Sequence, residues 1–156
     1  MTKKNYDVIN AIERLKKYCV LQDKCKWDAS QKMQTWKLNK KTQQNILELL
    51  IKEKYIDEER YAKSFCRGKF KIKKWGKLKI ISALKRKYIS VENINIGIKE
   101  INKNEYLETL EDLYQKKKKS TRIINTHIKN KRIAEFLINK GYESNLVWNK
   151  IKKLSE

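Results

Sequence analysis

The stretch WGKLKIISALKRKYISVENINIGIKEI, residues 75–101, aligns with KNKRIAEFLINKGYESNLVWNKIKKL, residues 129–154, in one register. There Leu84 meets Leu137, Lys87 meets Lys140, Ile94 meets Val147 and Ile98 meets Ile151. Self-similarity at such a period is the mark of stacked supersecondary units, each too small to bury its apolar face alone. Apolar residues in both copies recur at helical spacing. Leu78, Ile81 and Leu84, with Tyr88 one turn on, form the expected core face of one helix, and Ile94, Ile98 and Ile101 that of the next. A weaker copy, KWDASQKMQTWKLNKKTQQNILELL at 26–50, sets Trp27 against Trp75, Met33 against Ile81 and Trp36 against Leu84.

The same period continues outward. Val8, Ile12, Leu15 and Cys19 share one face, Ala29, Met33 and Trp36 a second, and Ile46, Leu47 and Leu50 a third. Tyr61, Phe65 and Cys66 mark a fourth helix, and Leu107, Leu110 and Tyr114 a seventh. Ile133, Phe136 and Leu137 then mark an eighth, and Val147, Ile151 and Leu154 a ninth. The chain has no proline, so no helix interior lacks a backbone donor. Helix starts recur as well: Ile56-Asp57 with Tyr61, Ile89-Ser90 with Ile94, and Ile101-Asn102 with Tyr106. In each, an apolar residue precedes a capping side chain and packs on the apolar residue one turn into the helix, a hydrophobic staple. No alternating segment is long enough to compete as a strand. The expected fold is all-α and elongated, nine helices in three tandem three-helix repeats over residues 1–56, 57–101 and 102–156.

Charge is distributed unevenly over this frame. From Arg60 to Val91 the chain runs 32 residues with 12 Lys or Arg and no carboxylate, directly after Asp57, Glu58 and Glu59. The acids suit an N-cap and first turn, where negative charge is favoured, and Arg60 beside them is expected to serve structure before partner contact. The basic run keeps its helical period, so its charge belongs to a folded surface. A net charge of +21 in 156 residues predicts salt-sensitive, sequence-tolerant association with nucleic acid through counterion release. A Lys-, Asn- and Ile-rich coding bias alone would spread that charge more evenly.

The residues singled out for binding are Arg67, Lys69, Lys71, Lys73, Lys74, Lys77 and Lys79, with Trp75 among them. Trp75 has a flat face to stack on a base, although its alignment with Trp27 favours packing. Arg86 and Lys87, with Lys85, either extend this surface or complement the negative end of their own helix. Gly76 is expected to permit the turn into the fifth helix and to let a phosphate approach its start. A second carboxylate gap, residues 113–134, holds Lys116, Lys117, Lys118 and Lys119, then Arg122, Lys129, Lys131 and Arg132. The four consecutive lysines before Ser-Thr read as a frayed helix end and a loop, with Arg122, Lys129, Lys131 and Arg132 as a secondary patch.

Other chemistry finds little support. Cys19, Cys25 and Cys66 form no CxxC pair and, with the single His127, give no zinc set; they are expected to be reduced and half-buried. No convergent carboxylates, Gly-rich phosphate loop or nucleophile–base pair is evident, so neither catalysis nor a cofactor is expected. No segment approaches a bilayer span and no leader pattern opens the chain, which points to the cytoplasm and to no membrane partner.

Taken together, DEERYAKSF at 57–65, the basic stretch to Trp75-Gly76, then Lys79-Ile80 and Leu84 resemble the RecX family, whose members regulate the RecA recombinase. The family's Lys-Gly-apolar helix ending stands here as Lys140-Gly141-Tyr142, but as Lys87-Tyr88-Ile89 in the middle repeat and Lys37-Leu38 in the first, which leaves those two geometries open. The resemblance implies a non-enzymatic monomer that lies along the groove of the RecA filament on single-stranded DNA. It would limit filament extension, recombinase and co-protease activity, and so act in DNA repair, recombination and the SOS response. Contact with single-stranded and also double-stranded DNA would be independent of sequence. The alternative is a general basic nucleic-acid-binding helical protein without a recombinase partner, using its fifth helix in a groove.

Overall fold

The computed structural model describes the backbone of residues 3–155 and the side chains of residues 7–153. Among the described residues the chain forms nine helices and no strand: α1 (Lys3–Leu21), α2 (Lys26–Thr35), α3 (Lys40–Lys52), α4 (Glu58–Lys71), α5 (Lys77–Arg86), α6 (Val91–Ile98), α7 (Lys103–Ser120), α8 (Thr126–Asn139) and α9 (Ser144–Ser155). No helix is long and apolar enough to cross a membrane.

Two of the three expected staple pairs share one core, Ile89 with Ile94 and Ile101 with Tyr106, whereas Ile56 packs in the core of the first repeat and Tyr61 in the larger one, so the first staple is not made. Asp57, Ser90 and Asn102 cap α4, α6 and α7, their side chains accepting from the amides of Arg60 (3.0 Å), Asn93 (3.2 Å) and Glu105 (3.0 Å). Ile56, Ile89 and Ile101 before them are buried, as are Tyr61, Ile94 and Tyr106 one turn in. Each cap satisfies an amide that the helix start would otherwise leave unpaired.

Two hydrophobic cores result. Ala11, Leu15, Met33, Ile46 and Leu50 centre a core made by α1–α3. A single larger core runs from Tyr61 and Phe70 through Leu84, Tyr106 and Leu137 to Ile151, so α4–α9 share one interior. Within it α4 packs closely on α6, where a Cβ added at Gly97 would lie 2.7 Å from the Ala62 carbonyl oxygen. Leu154 of the ninth stripe lies outside the residues with described side chains.

Three further expectations need correction. On α5 the core residues are Ile80 and Leu84, whereas Leu78 is 51% exposed and Ile81 half-buried. At about 100° per residue, Ile80 sits ~40° from Leu84 and Leu78 ~120° away, and docking chose the tighter pair. The middle-to-third alignment holds, since Lys87 and Lys140 are the C-caps of α5 and α8. The first-to-middle alignment is slipped by three residues: α2 and α5 begin at Lys26 and Lys77, which pairs Met33 with Leu84 and leaves Trp75 without Trp27 as its counterpart. A three-residue slip nearly preserves a helix face, so matched tryptophans outweighed the weak apolar pattern. The glycine-free helix ends keep the left-handed turn, with Lys37 at φ 55° and Tyr88 at φ 61° beside Gly141 at φ 107°.

The cysteines are the third of these: they are free, as expected, but buried and not half-buried. Burial pushes the Cys25 thiol from its ordinary 9.0 up to about 11, and the Cys66 thiol up to about 12. Thiolate is the reactive form, so at about pH 8 Ellman's reagent should modify Cys25 and Cys66 no faster than the protein unfolds. Because folding raises these values, the stability linked to the thiols is complete below the unfolded-state pKa and is lost as pH rises towards the folded one. Labelling at the rate of a free thiol in the native state would contradict this burial.

Candidate nucleic-acid interface

The basic stretch is mounted on the end of α4, the 72–76 loop and α5, and the loop is bolted to the third repeat. Lys74 adopts φ 59° and its carbonyl accepts from the Tyr142 hydroxyl (2.9 Å). The Lys73 carbonyl accepts from Lys140 Nζ (3.0 Å), while the Gly76 and Leu78 amides donate to the carbonyls of Lys140 (2.8 Å) and Gly141 (2.9 Å). The Lys77 amide donates to the Tyr106 hydroxyl (3.0 Å), which donates onward to the Glu143 carboxylate. Burial, then that hydrogen bond, raises the Tyr106 phenol, so it remains a neutral donor.

Gly76 therefore has a different role from the one expected. A Cβ there would lie 2.2 Å from the Gly141 carbonyl carbon, so the missing side chain admits the backbone of the third repeat and not a phosphate. The first amides of α5 already have acceptors, which removes the anion site that an open helix start would offer.

Trp75 is half-buried on this fixed loop, with Lys69 Nζ 4.9 Å and Lys79 Nζ 4.6 Å from its ring centroid. Lys77 Nζ lies 4.7 Å from the Tyr106 ring. A π face attracts an ammonium without neutralising it. Among the described residues, Lys69, Lys71, Lys73, Lys74, Lys77, Lys79 and Arg86 have no carboxylate at ion-pair distance. Burial lowers the Lys140 ammonium and neighbouring Lys79 adds to this, a sign of dense positive charge at the loop.

Two of the expected binding residues are engaged inside the molecule. Arg67 pairs with Glu100 at 3.5 Å. Lys87 reaches between repeats, 3.0 Å from Asp28 Oδ1 and 3.0 Å from the Tyr61 hydroxyl, beside the rings of Trp27, Tyr61 and Phe65. Asp28, 8% exposed, also accepts from the Cys25 amide (3.2 Å). Arg60 makes a parallel strap, donating to Asp23 Oδ1 (2.9 Å) and to the carbonyls of Lys54 (3.1 Å) and Tyr55 (3.3 Å). Its structural role and that of Asp57 are as the sequence indicates.

In the third repeat the four lysines belong to α7 itself, whose last turn holds Lys117, Lys118 and Lys119, and not to a loop. The hydroxyls of Ser120 (3.1 Å) and Thr121 (2.6 Å) donate to the Lys117 carbonyl, and cations complement the negative helix end. Lys117 Nζ covers Phe136 at 4.6 Å, while Arg122, Lys131 and Arg132 are exposed and Lys129 is half-buried. Sequence reasoning missed the first repeat's positive charge around Tyr18: Lys24, which lines a cleft with α4, and Lys32 lie 4.4 Å and 5.1 Å from that ring. Only their placement across the repeat boundary, and no local motif, brings them to notice.

Comparison with known proteins places this geometry. A family model described as RecX, second three-helix domain, matches residues 57–97, and one described as RecX, third three-helix domain, matches residues 104–151. The solved regulatory protein RecX has the same fold, with a TM-score of 0.84 at 22% identity over 94% of this chain and 73% of that one. RecX from Lactobacillus salivarius gives a TM-score of 0.82 at 18% identity over 97% of this chain and 98% of that one. No curated protein matches in sequence. At these identities the solved structures speak for the fold, and the two family models, which together span more than half of the residues, speak for descent. The chain belongs to the RecX family, regulators of the RecA recombinase in DNA repair and recombination.

Proposed function

We propose that this protein binds the RecA filament on single-stranded DNA along its groove and limits filament extension, thereby lowering recombinase and co-protease activity. The observation that carries the reading is the row of uncompensated cations, Lys69 to Lys79, held around Trp75 on a loop braced by the third repeat. Such a surface suits phosphates exposed beside protein, because each contact releases condensed counterions without requiring a base sequence. The protein acts in this reading as a cytoplasmic monomer without catalysis, with Arg122, Lys129, Lys131 and Arg132 as a secondary contact. Lys87 and Arg67 are left out of the primary contact, since each has a carboxylate partner.

Titration into a RecA-dependent ATPase or strand-exchange assay tests this. Inhibition well below one protein per recombinase subunit is expected. Inhibition only at concentrations that coat the DNA would instead indicate a general nucleic-acid-binding protein. Replacing Lys71, Lys73, Lys74 and Lys77 by Gln should flatten the log–log salt dependence of single-strand binding by about 2–3, since each phosphate contact contributes ~0.7. An unchanged slope would remove these residues from the contact.

A further inference from the structure

Only four glycines occur in this chain, and packing accounts for three of them. A Cβ would meet Gly141 backbone 2.2 Å away at Gly76, the Ala62 carbonyl oxygen at 2.7 Å at Gly97, and Lys79 Cβ at 2.4 Å at Gly141. Gly68 is different: nothing lies within 4 Å of an added Cβ. It sits inside α4, where glycine is about 1 kcal/mol less favourable than alanine. No neighbour within the protein explains why the side chain is missing. Absence of a Cβ also serves where a ligand must approach backbone closely.

Gly68 faces a cleft of about 420 Å³ between the first and second repeats. The α4 wall presents Ser64 and Gly68 one turn apart, with the exposed side chain of the C-cap residue Ile72 a further turn on and Lys69 and Lys73 beside them. Tyr18 and Lys24 form the opposite wall. Two carboxylates line the cleft, but both are already paired, Asp23 with Arg60 at 2.9 Å and Asp28 with Lys87 at 3.0 Å. That leaves Lys24, Lys69 and Lys73 without a carboxylate partner among the described residues, two of them resting on the rings of Tyr18 and of Phe65 and Trp75. Three ammoniums, two of them on π faces, around the bare backbone at Gly68 form a receptor for an anion, and the flat rings beside them suit a base.

We infer that this cleft takes a nucleotide unit of single-stranded DNA, its phosphate passing over Gly68 between Lys24, Lys69 and Lys73 and its base against the Tyr18 side. The inference rests on the proposed DNA contact of the α4–α5 row and extends that contact into the first repeat. A strand crossing here would touch both sides of the joint between the two hydrophobic cores, so binding would restrain the first repeat on the second.

The test separates the cleft from the row. Gly68→Leu removes no charge, enters open space and improves helix propensity, so its melting temperature should equal or exceed that of the wild type. Binding of the full-length protein to a fluorescein-labelled oligothymidylate, followed by anisotropy, should weaken about tenfold, equivalent to ~1.4 kcal/mol, while the salt slope falls by only ~0.7, the share of the one displaced phosphate. Gly68→Ala should weaken it less and serves if the leucine variant folds poorly. Wild-type affinity in both variants would overturn the cleft and leave the row standing. Absence of salt-dependent binding by the wild type would overturn the row, and the cleft with it. Unchanged binding of the free oligonucleotide, with reduced capture by RecA filaments, would assign the cleft to protein and overturn the nucleotide proposal.

Discussion

Gly76→Ala should destabilise the protein by about 3 kcal/mol, lowering its melting temperature by ~6–12 °C, more than any surface substitution on the chain. The added methyl would fall 2.2 Å from the Gly141 carbonyl carbon and 2.3 Å from the Tyr142 amide nitrogen, both backbone atoms that cannot rotate away. Relief requires the start of α5 and the 140–142 turn to separate. That separation would strain the hydrogen bonds from Gly76 and Leu78 to the third repeat, and those from Lys140 and Tyr142 back to the basic loop. The same substitution is therefore expected to weaken DNA binding although it removes no charge. Urea denaturation and anisotropy on one preparation check both effects. A loss under about 1 kcal/mol would mean that the second and third repeats are not docked through this contact.

Lys87→Met should cost about 2–3 kcal/mol by leaving the Asp28 carboxylate without its cation in a nearly closed site. The cost falls below the ~3–5 kcal/mol of a fully buried pair because the Lys87 side chain is 27% exposed and water can reach part of the cluster. Met keeps the stem packed near the rings of Trp27, Tyr61 and Phe65, so the loss reports the charge and not the volume. Adding Asp28→Asn should recover at least half of that loss, since an amide is cheaper to bury than an unpaired carboxylate. Denaturation curves of the two single variants and the double variant close the cycle. Equal losses in Lys87→Met and in the double variant would show that Asp28 does not need Lys87. The first repeat meets the second through this cluster, the Arg60 strap and the Lys26–Glu58 pair, with only Cys25 and Trp27 reaching the apolar core that the second and third share. The first joint is accordingly expected to be the one that charge substitutions and salt loosen.

These contacts mark where reading from sequence stops. Helix identity, the caps at Asp57, Ser90 and Asn102, and the match of the middle and third repeats depend on neighbours a few residues apart, so local pattern carries them. Family membership was legible for the same reason, through a signature contained within about thirty residues. Which face of α5 turns inward was not, because Leu78 and Ile80 offer competing apolar stripes and only docking against the 140–142 turn selects one. The charge row was visible as composition, but its useful members were not: Lys87 and Lys69 are alike as letters. One lies between Asp28 and Tyr61, and the other rests on two π faces with its charge uncompensated.

The sequence by itself determined that this protein is a set of capped helices in repeated units with positive charge gathered in the middle one. Tertiary structure alone decided which cations are free, why Gly76 is required, and that Gly68 faces a cleft shared with the first repeat. The physical reason is range. Periodicity and caps act within a few residues, whereas ion pairing, burial and backbone clearance here join residues 59 to 68 positions apart, such as Lys87 with Asp28 and Tyr142 with Lys74.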